Sequence, residues 1–134
     1  MIKVVIVDDH RLVREAWKLV LNRDNRLSVA AICENGFRAV EACRNLHPDV
    51  VLMDINMDPM NGIEATKAIR EFSNDIKIIG ISVHTDLSYI NALMQAGGNG
   101  YVTKNSSGEE MIGAIMLVME GQQYFCKEIA DIIN

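Results

Sequence analysis

Hydrophobic and polar positions follow two alternating rhythms along this chain. Short runs rich in β-branched residues fall at Lys3–Val7 (KVVIV), Ser28–Cys33 (SVAAIC), Val50–Met53 (VVLM), Ile76–Ser82 (IKIIGIS) and Tyr101–Thr103 (YVT). Between them lie longer segments with helical spacing: Val13, Trp17, Val20 and Leu21 in the first, Ile63, Thr66, Ile69 and Arg70 in another, and Leu87, Ile90, Leu93 and Met94 in a third. Turn chemistry separates these segments at Asn35-Gly36, His47-Pro48, Asn61-Gly62 and Gly97-Gly98-Asn99-Gly100. Strands that alternate with helices predict a parallel sheet covered on both faces, and runs as uniformly apolar as VVIV and VVLM fit strands buried on both sides. The reading is one doubly wound α/β domain of five strands and five helices.

Met111–Met119 (MIGAIMLVM) carries no charged or polar side chain. One face of such a helix covers the sheet, and the other needs a second cover. Two covers are open: the tail, where Ile129, Ile132 and Ile133 form a small apolar stripe, or another subunit.

A length of 134 residues suits one domain, and a composition of 49% hydrophobic and 23% charged residues predicts a real core. No run approaches a membrane-spanning length, and the opening Met1-Ile2-Lys3-Val4 does not read as a secretory leader. Cys33, Cys43 and Cys126 are odd in number and lack C-x-x-C spacing, so they read as reduced thiols of a cytoplasmic protein. A net charge of −5 opposes tight nucleic-acid binding by this chain alone.

In an open parallel sheet, the functional crevice lies outside the carboxyl ends of the strands. There the expected strands deliver Asp8 and Asp9, Asp54, Ser82, and Lys104. Packed carboxylates repel one another unless a cation joins them, and magnesium is the natural one: it takes oxygen ligands and keeps positions open for phosphate. With Asp8 and Asp9 holding the metal, Asp54 is available as a nucleophile that accepts a phosphoryl group as an acyl phosphate. Ser82 and Lys104 would then meet the phosphoryl oxygens. Asp8-Asp9 as a helix cap is the plainer reading of that pair and becomes secondary beside Asp54 and Lys104. The D-x-N-x-D spacing of Asp54, Asn56 and Asp58 also matches the opening of a calcium loop, but Pro59 and Ala65 stand where that loop needs Gly and Glu. His10, His47 and His84 show no paired spacing and read as solvent or rim positions; His84, two residues past Ser82, is placed to influence donor access.

V-D-D-H at 7–10, M-D-I-N-M at 53–57, M-N-G at 60–62, I-S at 81–82 and G-Y-V-T-K at 100–104 together resemble a two-component response-regulator receiver domain over essentially the whole chain. D-D-H-R-L-V-R-E at 8–15 and G-Q-Q-Y-F-C-K-E-I-A at 121–130 resemble the receiver half of LuxR/NarL-type transcription regulators. The resemblance implies a flavodoxin-like sheet of order 2-1-3-4-5 with a short C-terminal helical extension. It implies that Asp54 is the phosphoacceptor, that Asp9 and Asp54 ligate Mg2+ directly, that Asp8 supports through water and that Asn56 adds its backbone carbonyl. Lys104 would pair with the phosphoryl group, and Ser82 and Tyr101 would be the switch hydroxyl and its aromatic partner. The implied donor is a partner histidine kinase. The implied output is transcriptional, exerted through homodimerisation or release of a DNA-binding helix-turn-helix domain, with no membrane partner. Residues 1–121 would form the receiver and 122–134 the start of a linker, making the chain either a piece of a longer protein or a stand-alone receiver.

Four positions depart from the family pattern. The proline after the phosphoacceptor comes one place later, in Met57-Asp58-Pro59-Met60, which predicts a differently bent loop and brings an extra charge, Asp58, near the site. Asn105, not proline, follows Lys104; Ser82 stands for the commoner threonine; and Val83 follows where a small residue is usual. An aspartate-dependent phosphatase is the rival from the enzyme class, but its general acid would fall at Asn56, which cannot serve. The expected chemistry is therefore self-directed phosphoryl transfer and autodephosphorylation, not turnover of a separate substrate. A receiver acting by contact alone is the other rival, and it is opposed by the presence of Asp8, Asp9, Asp54, Ser82 and Lys104.

Overall fold

A computed structural model describes residues 1–133. Its elements run β1 (Ile2–Val7), α1 (Arg11–Asn22), β2 (Leu27–Cys33), α2 (Gly36–Leu46), β3 (Val50–Asp54), α3 (Gly62–Arg70), β4 (Lys77–Ser82), α4 (Leu87–Ala96), β5 (Gly100–Thr103), α5 (Gly108–Met119), β6 (Tyr124–Phe125) and α6 (Lys127–Ile133). The sheet is parallel in every pairing, with order β2-β1-β3-β4-β5-β6. The five expected strands and their order are present, and the C-terminal helical extension is α6. The added feature is β6, a two-residue strand that pairs Tyr124 with Gly100 and Phe125 with Tyr101.

β3 is buried along its whole length, which explains its unbroken apolar run. Alternate side chains feed two cores. Val4, Ile6, Val50, Leu52, Ile79 and Ile81 enter a layer with Leu21 of α1 and Met111, Ala114, Ile115 and Val118 of α5. Val5, Val7, Val51, Met53 and Ile78 enter the other with Ala39 and Cys43 of α2 and Ala65 and Ile69 of α3. Trp17 packs partly buried on the first layer. Asn61 and Ser107 begin α3 and α5 with complete capping boxes to Glu64 and Glu110, which fixes where these helices leave the rim. Arg70, near the end of α3, donates to the Gly97 carbonyl and the Asn99 side chain, tying α3 to the turn before β5.

The apolar helix is α5. Met111, Ala114, Ile115 and Val118 are buried, while Ile112, Met116 and Met119 pack partly buried against the same core. The tail supplies part of the cover, but its stripe divides. Ile129 is fully buried in the α5 layer beside Cys126, whereas Ile132 and Ile133 are 40% and 42% exposed. No helix among the described residues is long and apolar enough to cross a membrane.

Burial of Ile129 makes the tail contribute to the stability of the domain. Ile129→Ala is expected to lower unfolding free energy by about 2–5 kcal/mol, the usual range for a buried Ile truncation. Ile132→Ala is expected to stay within about 0.5 kcal/mol, as for exposed positions. Urea unfolding of the two variants checks the contrast.

Candidate functional site

Strand register brings the site residues together. Val7 pairs with Met53, so Asp8 emerges beside Asp54; Asp54 pairs with Ile81, so Ser82 lies one step beyond it. Ser82 pairs with Thr103, and the Lys104 N–H donates to the Ser82 carbonyl at 3.1 Å. Three parallel pairings therefore place an acid, an acid, a hydroxyl and an ammonium along one rim. Gly62 closes the floor: a Cβ there would run into the Asp54 carbonyl oxygen and lie 2.9 Å from Ile55 Cα, so only glycine admits α3 this close to the end of β3.

Asp54 is completely buried. Its Oδ1 accepts from the Asn56 N–H at 3.1 Å, and its Oδ2 lies 3.3 Å from Lys104 Nζ. Lys104 Nζ is also 3.5 Å from Asp8 Oδ2. Asp8 Oδ1 accepts the His10 N–H at 2.8 Å and lies 3.1 Å from His10 Nδ1, while Asp9 Oδ1 lies 2.9 Å from the same nitrogen. Arg14 donates to the Asp8 carbonyl, which steadies the turn into α1.

Burial, followed by the charge of Asp8, pushes the Asp54 carboxyl up to about 6; the Asn56 N–H and Lys104 oppose the rise without cancelling it. Burial pulls the Lys104 ammonium down, yet the charges of Asp54 and Asp8 outweigh it and hold its pKa above the ordinary value. One lysine thus leaves the acids undercompensated. Ligand atoms from Asp8, Asp9, His10 and Asp54 all lie within 4.8 Å of one another. That oxygen-rich, negatively charged set fits a small divalent cation, and the expected ligands Asp8, Asp9 and Asp54 are the residues that could hold it.

The hydroxyl side of the site is held by contacts away from Asp54. Ser82 Oγ is buried and does not bond Asp54; it donates to Asn56 Oδ1 at 2.9 Å and accepts from the His84 N–H at 3.0 Å. The Asn56 side chain therefore restrains Ser82, a contact that a reading limited to its backbone carbonyl missed. Tyr101 is fully buried, its hydroxyl donating to the His84 carbonyl at 2.9 Å, and the His84 ring stacks on Tyr89 at 4.5 Å. His10, read from sequence as a rim position, is bonded into the acids. Asp58 is exposed and lines a cleft of about 330 Å³ with Asn56, Asn61 and Tyr89, outside the acid cluster. The Asp58–Pro59 peptide is cis.

The chain as a whole matches known proteins. The profile of the response regulator receiver domain matches residues 4–116, and the chain belongs to that family. It is 39% identical to the transcriptional regulatory protein DegU of Brevibacillus brevis over 92% of this chain and 52% of that protein. It is 40% identical to the response regulator UvrY of Escherichia coli K12 over 98% of this chain and 60% of that protein. Among solved structures, a LuxR-family response regulator from Aurantimonas superimposes with a TM-score of 0.92 at 31% identity, covering 96% of this chain and 92% of that one. The receiver domain of NarL from Mycobacterium tuberculosis gives 0.87 at 28% identity, covering 90% and 98%. The likeness thus runs to the LuxR/NarL type of regulator. The chain spans between about half and three fifths of the length of these two curated relatives.

The raised Asp54 pKa has a consequence for stability. An acid whose folded pKa lies above its unfolded value contributes stability that is present below the unfolded pKa, here 3.8, and is lost as pH rises through about 6. Ionised Asp54 then costs the metal-free fold about 3 kcal/mol, from roughly two pKa units at 1.36 kcal/mol each. Asp54→Asn in chelator is expected to be more stable than the parent at pH 8 by up to that amount, the gain shrinking towards zero as pH falls from 6 to 4. Denaturant unfolding across that range checks it.

Proposed function

We propose that this chain is a phosphorylation-controlled switch in which Asp54 accepts a phosphoryl group from the phosphohistidine of a partner histidine kinase. The observation that carries the reading is the burial of the Asp54 carboxylate between Asp8 and Lys104 at the open end of the sheet. An Asp54 oxygen forms the new O–P bond as the P–N bond to the kinase histidine breaks; the histidine nitrogen keeps the electron pair and takes a proton. Water attacking the acyl phosphate later releases phosphate and restores the carboxylate, so the chemistry is directed at the protein's own side chain.

Lys104 Nζ, already within 3.3 Å of Asp54, meets one phosphoryl oxygen and balances its charge. Mg2+, held by Asp8, Asp9, Asp54 and the Asn56 carbonyl, supplies neutralisation of charge on the transferring group. Ser82 leaves Asn56 to donate to a phosphoryl oxygen, and Tyr101 moves with the His84 segment to which it is bonded. The consequence is a change in homodimerisation, or in the release of a DNA-binding output domain joined through residues 122–134, of which β6, Cys126 and Ile129 pack on the receiver of residues 1–121. The setting is the cytoplasm, and no membrane partner is invoked.

Incubation with acetyl phosphate and Mg2+, followed by intact mass, tests the reading. One phosphoryl group is expected on the parent chain and none on Asp54→Ala. Lack of a magnesium-dependent gain on the parent would sink it, leaving a receiver that acts by contact alone.

A further inference from the structure

His10 occupies the N-cap position of α1, yet its side chain makes no capping bond to that helix. The ring turns back over the acids instead, with Nδ1 2.9 Å from Asp9 Oδ1 and 3.1 Å from Asp8 Oδ1. Without a cation these are hydrogen-bond and ion-pair distances. They also match the edge of roughly 3 Å between neighbouring ligands of an octahedron with bonds of about 2.1 Å, so a cation can take the place of the Nδ1 proton without moving the ring away. The His10 N–H donates to the same Asp8 carboxylate, so main chain and ring converge on one point.

Resting on the metal-bound reading above, we propose that His10 is a nitrogen ligand of the cation held by Asp8, Asp9 and Asp54, and that it turns the pocket towards divalent transition ions and away from Mg2+. Mg2+ is a hard cation that selects oxygen. Mn2+, Co2+, Ni2+ and Zn2+ accept imidazole, with affinity rising along the first row. Carboxylates alone already favour such ions modestly, so the signature of His10 is the part of the selectivity that disappears with the ring. The side chain is 66% exposed, which leaves the rest of the ring free of buried partners when Nδ1 is a ligand.

Calorimetric titration of the full chain with Co2+ and with Mg2+, on the parent and on His10→Gln, tests this. Circular dichroism confirms that the exposed substitution leaves the fold intact. The ratio of Co2+ to Mg2+ affinity is expected to fall at least fivefold in His10→Gln. A paramagnetically shifted, exchangeable imidazole proton is expected in the proton spectrum of the Co2+-loaded parent and is lost in the variant. Asp9→Asn is expected to weaken both ions. A smaller change in the ratio overturns the inference, making His10 only an ion-pair partner of the acids. A parent that binds neither ion overturns both this inference and the metal-bound reading. A parent that binds Co2+ through His10 yet gains no phosphoryl group from acetyl phosphate with either Mg2+ or Co2+ supports the metal site and overturns the switch function alone.

Discussion

Everything at the rim answers to one unfavourable interaction: the carboxylate of Asp54 is desolvated and placed beside the carboxylate of Asp8. The strand register dictates that closeness, because Val7 opposite Met53 leaves the next residues of β1 and β3 side by side. A chain selected only for stability would not keep two buried acids there. Lys104 offsets part of the repulsion, and the long apolar ladder of β3 supplies the burial energy that tolerates the rest. The same electrostatic deficit suits the site to a cation, which would find carboxylate oxygens already assembled around it.

Most of the fold was legible because a two-sided parallel sheet writes its strands as continuous β-branched runs and its helices as periodic ones. β6 was not: Tyr124–Phe125 is too short to show any period, and its pairing with Gly100 and Tyr101 depends on the turn after α5. The tail could be read as apolar, but not divided. Only three-dimensional packing separates buried Ile129 from exposed Ile132 and Ile133.

The site was legible wherever strand ends decide position. Asp8, Asp54, Ser82 and Lys104 follow from the rule that a parallel sheet presents its carboxyl ends together, and Asp9 from its place beside Asp8. The Asn56 side chain and the His10 ring escaped that rule because each depends on a rotamer set by loop geometry. Asn56 turns its amide to Ser82 from the loop after β3, and His10 forgoes a capping role to reach the acids. A hint existed in V-D-D-H, where an imidazole immediately follows two acids, but spacing alone does not say whether the ring turns inward. Asp58 taught the reverse lesson. Proximity in sequence to Asp54 suggested an added charge near the site, and Asp58 lies exposed in the cleft that Asn56 also lines, outside the acid cluster itself.

The hydrogen bonds on the hydroxyl side form a continuous chain of contacts from the floor of the site to α4. Ser82 is held by Asn56 on one side and holds the His84 amide on the other, while the His84 carbonyl is held by Tyr101. The His84 ring in turn stacks on Tyr89 of α4. In the proposed switch, drawing Ser82 towards Asp54 would break its bond to Asn56 and disturb the main chain at His84, to which both Tyr101 and Tyr89 of α4 are attached. A ligand shifts an equilibrium only through contacts that differ between two states. In that switch the differing contact would be the partner of one hydroxyl, Asn56 in the state seen here and a phosphoryl oxygen in the other. The β3–β4 ladder holds Asp54 by continuous pairing, whereas the contacts of Ser82 that can change partner lead into the loop after it.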